Sequence, residues 1–155
     1  MEIEKKYLVR ELPENLSEYP SYQLEQCYLC TGPTVRVRRR DNDYILTYKN
    51  RVQPSGNEKR LLVSDEVELP LTKESYEHLR EKADGKRITK TRYHIPYAGF
   101  RIELDIFHGD YEGFYLAEVE FETEEQAGEF VPPDWFGEDV SGDFHYTNSY
   151  LAMRE

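Results

Sequence analysis

The most regular feature of the chain is a strict alternation of apolar and charged positions in short segments. In residues 2–9, Glu2, Glu4 and Lys6 share one parity, and Ile3, Tyr7 and Val9 share the other. In residues 34–40, Arg36, Arg38 and Arg40 oppose Val35 and Val37. The pattern returns with Ile45, Thr47 and Lys49, with Glu66 and Glu68, and with Lys90 and Arg92. It returns again with Arg101, Glu103 and Asp105, and with Glu118 and Glu120. Period-two alternation marks β-strands with two unlike faces. It predicts strands over residues 2–9, 22–30, 34–40, 43–49, 60–69, 87–95, 100–107 and 114–122. Asp41-Asn42, between the third and fourth, is a hairpin signal.

Three helices are predicted between and after these strands. Thr72 caps one over residues 73–83, with Gly85 as its stop. Thr123-Glu124-Glu125-Gln126 reads as a capping box for a second, ending before Pro132-Pro133. A third covers residues 147–153. The strand-rich, mixed order predicts a mainly β (α+β) fold of one domain, residues 1–155. Eight strands suit a closed antiparallel β-barrel with the helices packed outside.

The charged faces decide which way the barrel is turned. A solvated face mixes Thr, Ser, Gln and Lys, whereas these faces are almost purely Glu/Asp or Arg/Lys. The expectation is an inverted barrel with its charges pointing into a tunnel. The inward cations are Lys6, Arg36, Arg38, Arg40, Lys49, Lys90 and Arg92. The inward anions are Glu2, Glu4, Glu66, Glu68, Glu103, Asp105, Glu118 and Glu120. Buried charges persist when paired, hydrogen-bonded or bound to a metal.

Composition narrows the reading. Apolar residues are 38% and charged residues 33%, a balance that approaches disorder, but 14% aromatic residues, 13 of them Tyr, supply a core. The net charge of −11 disfavours nucleic acid and anionic membranes as partners. No apolar run approaches the ~20 residues of a membrane span. The opening MEIEKKYL has no signal-peptide core, so a soluble cytoplasmic protein is expected. Cys27 and Cys30 lack a second pair and are read as two semi-buried thiols. The four His form no metal-spaced cluster, and no Gly-rich phosphate loop occurs. Arg and Lys clusters bind phosphate oxygens, and carboxylate clusters bind hard cations such as Mg²⁺ or Mn²⁺. A metal–polyphosphate complex needs both.

Glu2-Ile3-Glu4-Lys5-Lys6 resembles the E-x-E-x-K opening of the CYTH superfamily, the triphosphate tunnel metalloenzymes. The resemblance continues through Arg36-x-Arg38, Tyr48-Lys49, Glu66-x-Glu68, Lys90-Thr91-Arg92-Tyr93, Glu103-Leu104-Asp105, Glu118-x-Glu120 and Pro132-Pro133-x-Trp135. It implies an eight-stranded tunnel acting on triphosphates with Mg²⁺ or Mn²⁺. Carried over by position, Glu2, Glu4, Glu118 and Glu120 would hold the metal. Lys6, Arg36, Arg38, Lys49, Lys90 and Arg92 would hold phosphates. Lys6, Glu66 and Glu68 would serve catalysis, the two carboxylates by placing a second metal or the attacking water. Two positions depart from the pattern. Some relatives carry R-x-E-x-E where this chain has Ser64-Asp65-Glu66-Val67-Glu68, so a cation is missing or comes from Lys59 or Arg60. His145 stands where relatives often have a basic residue before Tyr-x-Asn.

The expected activity is hydrolysis of inorganic tripolyphosphate to pyrophosphate and phosphate. The alternatives are a nucleoside or thiamine triphosphatase, a class IV-type adenylyl cyclase, and a non-catalytic polyphosphate- or nucleotide-binding module. The expected partner is a small-molecule triphosphate, without membrane or nucleic acid, and a homodimer is compatible with the sequence.

Overall fold

The computed structural model describes residues 2–52 and 62–154. In chain order the strands begin with β1 (Glu2–Val9), β2 (Ser21–Thr31), β3 (Thr34–Arg40), β4 (Asp43–Val52) and β5 (Leu62–Pro70). Helix α1 (Lys73–Arg80) precedes β6 (Asp84–Tyr97), β7 (Phe100–Phe107) and β8 (Tyr115–Phe121). Helix α2 (Glu124–Glu129), strand β9 (Phe136–Asp139) and helix α3 (Asn148–Met153) complete the chain. Neighbouring strands run β5-β4-β3-β2-β6-β7-β8-β1, and β1 closes back onto β5. All pairings are antiparallel, so eight strands form a closed barrel.

The eight expected strands are all present, with altered ends. β4 runs to Val52 rather than residue 49, which brings Arg51 onto the face of Lys49. Residues 60 and 61 of the expected fifth strand, and Lys59, lie outside the described residues. β9 was not legible as a strand, because it pairs only with the end of β1, through Tyr7↔Asp139 and Val9↔Phe136. Asp41 takes φ 53° in the β3–β4 turn, and its carboxylate accepts from the Gln23 amide at 2.8 Å. Asp tolerates this left-handed backbone better than most residues.

The Thr72 cap forms as expected, with reciprocal bonds to Ser75. The helix nevertheless stops at Arg80, three residues short of its expected end. Gly85 belongs to β6, at φ 70°, and a Cβ there would lie 2.3 Å from the Ala152 carbonyl oxygen. Its glycine is explained by the close approach of α3, not by helix termination.

Parity sorts the core. The outward residues Ile3, Tyr7, Ile102, Leu104, Val119 and Phe121 pack beneath Phe130 and Phe136. Phe130 lies against five rings: Tyr7, Tyr97, Phe100, Phe121 and Phe136. Truncating such a residue costs about 3–5 kcal/mol. Cys27, Val37 and Tyr76 form a smaller outward cluster under α1. At one end of the barrel the inward parity turns apolar. There Tyr28, Ile88, Phe107 and Leu116 meet Leu151 and Ala152 of α3, plugging that end. Among the described residues no helix is long and apolar enough to cross a membrane.

Candidate active site

The barrel encloses a cavity of about 560 Å³. Charged side chains from β1, β3, β4, β5, β6, β7 and β8 line it. Its outer rim is made by the β2–β3 turn, by Asn50 and Arg51, and by the segment from Phe144 to Met153. A smaller opening on the opposite side is lined by Arg101, Glu103, Glu120 and Glu122. Glu103 borders both.

One wall of the cavity is internally neutralised. Asp105, fully buried, accepts from Arg92 Nε at 2.7 Å and Nη2 at 2.8 Å. Lys90 Nζ reaches the same carboxylate at 2.7 Å. Glu103 lies 3.4 Å from both Arg92 and His94. Glu118 sits 3.5 Å from Lys6 and 4.0 Å from Arg92. Burial opposes ionisation of these acids, but Arg92 and Lys90 outweigh it at Asp105, and Lys6, Arg92 and Lys90 outweigh it at Glu118. Both carboxyls are held below the usual range. Burial pushes the Lys90 ammonium down to about 7, Arg92 and Arg38 adding to the effect and Asp105 opposing it.

The wall formed by β3 is different. Among the described residues Arg38 bonds only the neutral Gln26 carbonyl oxygen, at 3.1 and 2.9 Å. Arg36 donates to Thr47 Oγ1 at 3.3 Å, and its buried Nε has no partner among the described residues. No described carboxylate lies within 4 Å of either guanidinium. Burial, with Arg36 and Arg92 close by, pushes Arg38 down to about 9. A buried and a half-buried arginine, both short of negative charge, make a receptor for an anion.

Carboxylates gather around an ammonium on a third side. Lys49 Nζ lies 2.6 Å from Glu2, 3.5 Å from Glu4 and 3.7 Å from Glu66. Burial opposes the ammonium charge, but Glu4 and Glu2 outweigh it and raise Lys49. Burial raises Glu2 despite Lys49. It raises Glu4 too, with Glu118 and Glu2 adding to it. Among the described residues no three His, Cys, Asp or Glu side chains are gathered for a metal by themselves. The donors held around Lys49 are nonetheless anionic oxygens short of positive charge, the chemistry that fits a hard divalent cation.

Five of the six cations expected to hold phosphate line the cavity: Lys6, Arg36, Arg38, Lys49 and Arg92. Lys90 instead is sealed in the wall, donating to Asn148 at 3.0 Å and so tying α3 to the barrel. Of the four expected metal carboxylates, Glu2, Glu4 and Glu118 line the cavity, while Glu120 lies at the opposite opening. There burial and the nearby Glu2, Glu103, Glu4 and Glu66 push Glu120 up to about 7. Glu66 lines the cavity, but Glu68, two residues nearer the end of β5, is exposed and does not. Lys6 Nζ also donates to the Tyr146 carbonyl at 3.1 Å. His145 is exposed and pairs with Asp143 at 2.6 Å. Sequence reasoning gave Gln26 and Arg51 no role in the site. The signal for Arg51 was its parity, two residues beyond Lys49.

Comparison with known proteins follows the same lines. The CYTH domain model matches residues 1–144. An inorganic triphosphatase of Nitrosomonas europaea is 37% identical, covering 98% of this chain and 97% of that protein. An inorganic triphosphatase of Acetivibrio thermocellus is 34% identical, covering 97% and 92%. A crystal structure of an inorganic triphosphatase superposes with a TM-score of 0.72 at 33% identity, covering 100% of this chain and 96% of the other. A closed charged barrel, an E-x-E-x-K first strand and a match over 144 residues converge on one assignment: the chain belongs to the CYTH domain family.

Proposed function

We propose that this protein hydrolyses inorganic tripolyphosphate to pyrophosphate and phosphate in the barrel cavity, with a divalent metal ion. The observation that carries the reading is the unpaired Arg36–Arg38 wall facing a carboxylate-rich wall across one cavity. A triphosphate supplies the missing anion to the first, and its metal supplies the missing cation to the second. Relatives named inorganic triphosphatase over nearly their full length support the same substrate.

In this reading Arg36, Arg38, Lys49, Arg92 and Lys6 bind phosphate oxygens. Fixed guanidinium groups offset the charge that develops as a terminal phosphoryl group transfers. Lys6, which lines the cavity 3.5 Å from Glu118, is proposed to steady the oxygen of the departing pyrophosphate. Glu2, Glu4, Glu118 and Glu120 are the proposed holders of Mg²⁺ or Mn²⁺. When bound, the ion shields phosphate oxygens and makes water more acidic. Glu66, within the cavity, is proposed to orient the attacking water and accept its proton. Glu68 is exposed and is proposed to act only through its neighbour. Lys90 is proposed to hold Asp105 and α3 rather than substrate. The proposed setting is the cytoplasm.

A second reading rests on Phe144, 60% exposed at the cavity rim beside Tyr150. Such rings can stack an organic group, as a nucleoside or thiamine triphosphatase requires. Phosphate release from tripolyphosphate, ATP and thiamine triphosphate, with Mg²⁺, Mn²⁺ or EDTA, separates the readings. Metal-dependent turnover of tripolyphosphate above the others is expected. A folded protein that releases no phosphate from it overturns the proposal.

A further inference from the structure

The register of β4, β5 and β1 places three residues in a row across the cavity edge: Arg51, Ser64 and Glu2. Ser64 is 2% exposed, and its hydroxyl has no hydrogen-bond partner among the described residues. Arg51 is exposed, lines the cavity and has no ion-pair partner among the described residues. It follows Thr47 and Lys49 on one inward face of β4. The guanidinium therefore extends the cationic surface from the buried Arg36 outward to the rim. A buried hydroxyl beside it is a free donor. Position 64, where the sequence suggested a cation either missing or supplied by Lys59 or Arg60, is thus flanked by one on the adjacent strand.

We propose that Arg51, with Ser64 beside it, binds the outermost phosphoryl group of the substrate and favours inorganic triphosphate over nucleoside triphosphates. The inference rests on the triphosphatase reading of the cavity. Its physical basis is charge. The end group of an inorganic triphosphate is a terminal phosphate carrying about 1.5–2 negative charges near neutral pH. In a nucleoside triphosphate bound with its γ-phosphoryl group innermost, the group at the rim is the α-phosphoryl, joined to the nucleoside by an ester and to the β-phosphate by an anhydride, and it carries one. The rim position of a guanidinium, which pairs with phosphate oxygens two at a time, rewards the more highly charged end.

The test is steady-state kinetics of Arg51→Gln on tripolyphosphate and ATP with saturating Mg²⁺ or Mn²⁺. The KM for tripolyphosphate should rise about tenfold with kcat nearly kept, because a contact shared by ground and transition states is lost. The KM for ATP should rise about twofold. The double variant Arg51→Ser/Ser64→Arg moves the guanidinium one strand across and should recover most of the tripolyphosphate KM. Equal losses on both substrates, or no change on either, overturn the inference. If the unaltered protein turns over neither compound, the triphosphatase reading fails instead. Calorimetric binding of tripolyphosphate to both forms then still decides Arg51, since unchanged affinity in Arg51→Gln overturns its role.

Discussion

The two long walls of the cavity carry the same residue types and put them to opposite uses. On β6, β7 and β8, Arg92 and Lys90 are bound to Asp105 at 2.7 Å, and Glu118 is held by Lys6 and Arg92. On β3, the partners of Arg36 and Arg38 among the described residues are a threonine and a glutamine, both neutral. Buried ions cost desolvation energy, and the first wall offsets that cost within the protein. The second leaves it outstanding until an anion arrives. The first wall therefore contributes most to holding the barrel together, although Lys6, Arg92 and Glu118 also line the cavity, and the second contributes most to binding an anion.

Substitutions should separate the two. Asp105→Asn leaves Lys90 and Arg92 buried with their shared counter-charge gone. Breaking such a pair costs about 3–5 kcal/mol, read as a fall in the denaturant midpoint. Arg38→Ala should act in the other direction. In metal- and phosphate-free buffer its midpoint should match or exceed that of the unaltered protein, because an unpaired cation is removed. Its kcat/KM for tripolyphosphate should fall about a hundredfold. Should Arg38→Ala unfold as readily as Asp105→Asn, the distinction between the walls collapses.

Parity carried most of this into the sequence. Period-two alternation is a local property, so it told correctly which residues of each strand face inward, and Lys6, Arg36, Arg38, Lys49, Arg92, Glu66 and Glu118 reached the cavity together. Position along the barrel axis is not local. It depends on strand stagger, which is set by pairings such as Glu2↔Ser64 between distant segments. Hence Glu68 and Glu120 share the inward parity yet sit beyond the cavity at its ends, and Lys90 lies sealed where α3 plugs the barrel. Stagger also decides who pairs with whom, so nothing in the spacing of R-x-R or K-x-R foretold that one set is neutralised and the other is not. β9 escaped notice because Phe136–Asp139 owes its strand geometry to the edge of β1 rather than to its own pattern.

The smallest expected effect concerns pH, and it distinguishes the carboxylates of the two regions. Glu2, Glu4 and Glu120 are raised, the last to about 7, by burial and by the charge of neighbouring carboxylates. Glu103, Asp105 and Glu118 are lowered by their cations. A raised acid binds its proton more tightly folded than unfolded, so it favours folding while protonated and loses that contribution as pH rises toward its folded value. A lowered acid stabilises above the ordinary carboxylate range and loses its contribution only as pH falls below that range. The metal-free protein should therefore grow less stable between pH 5 and pH 7, a window above the ordinary carboxylate range where the lowered set adds little further change. Above pH 7 Lys90 contributes the opposite slope, because its ammonium is lowered in the folded state. Unfolding midpoints in EDTA at pH 5, 6 and 7 read the slope directly, and Glu120→Gln should make it shallower. An undiminished slope in that variant would leave Glu2 and Glu4, the carboxylates around Lys49, as its source and remove Glu120 from the acidic group.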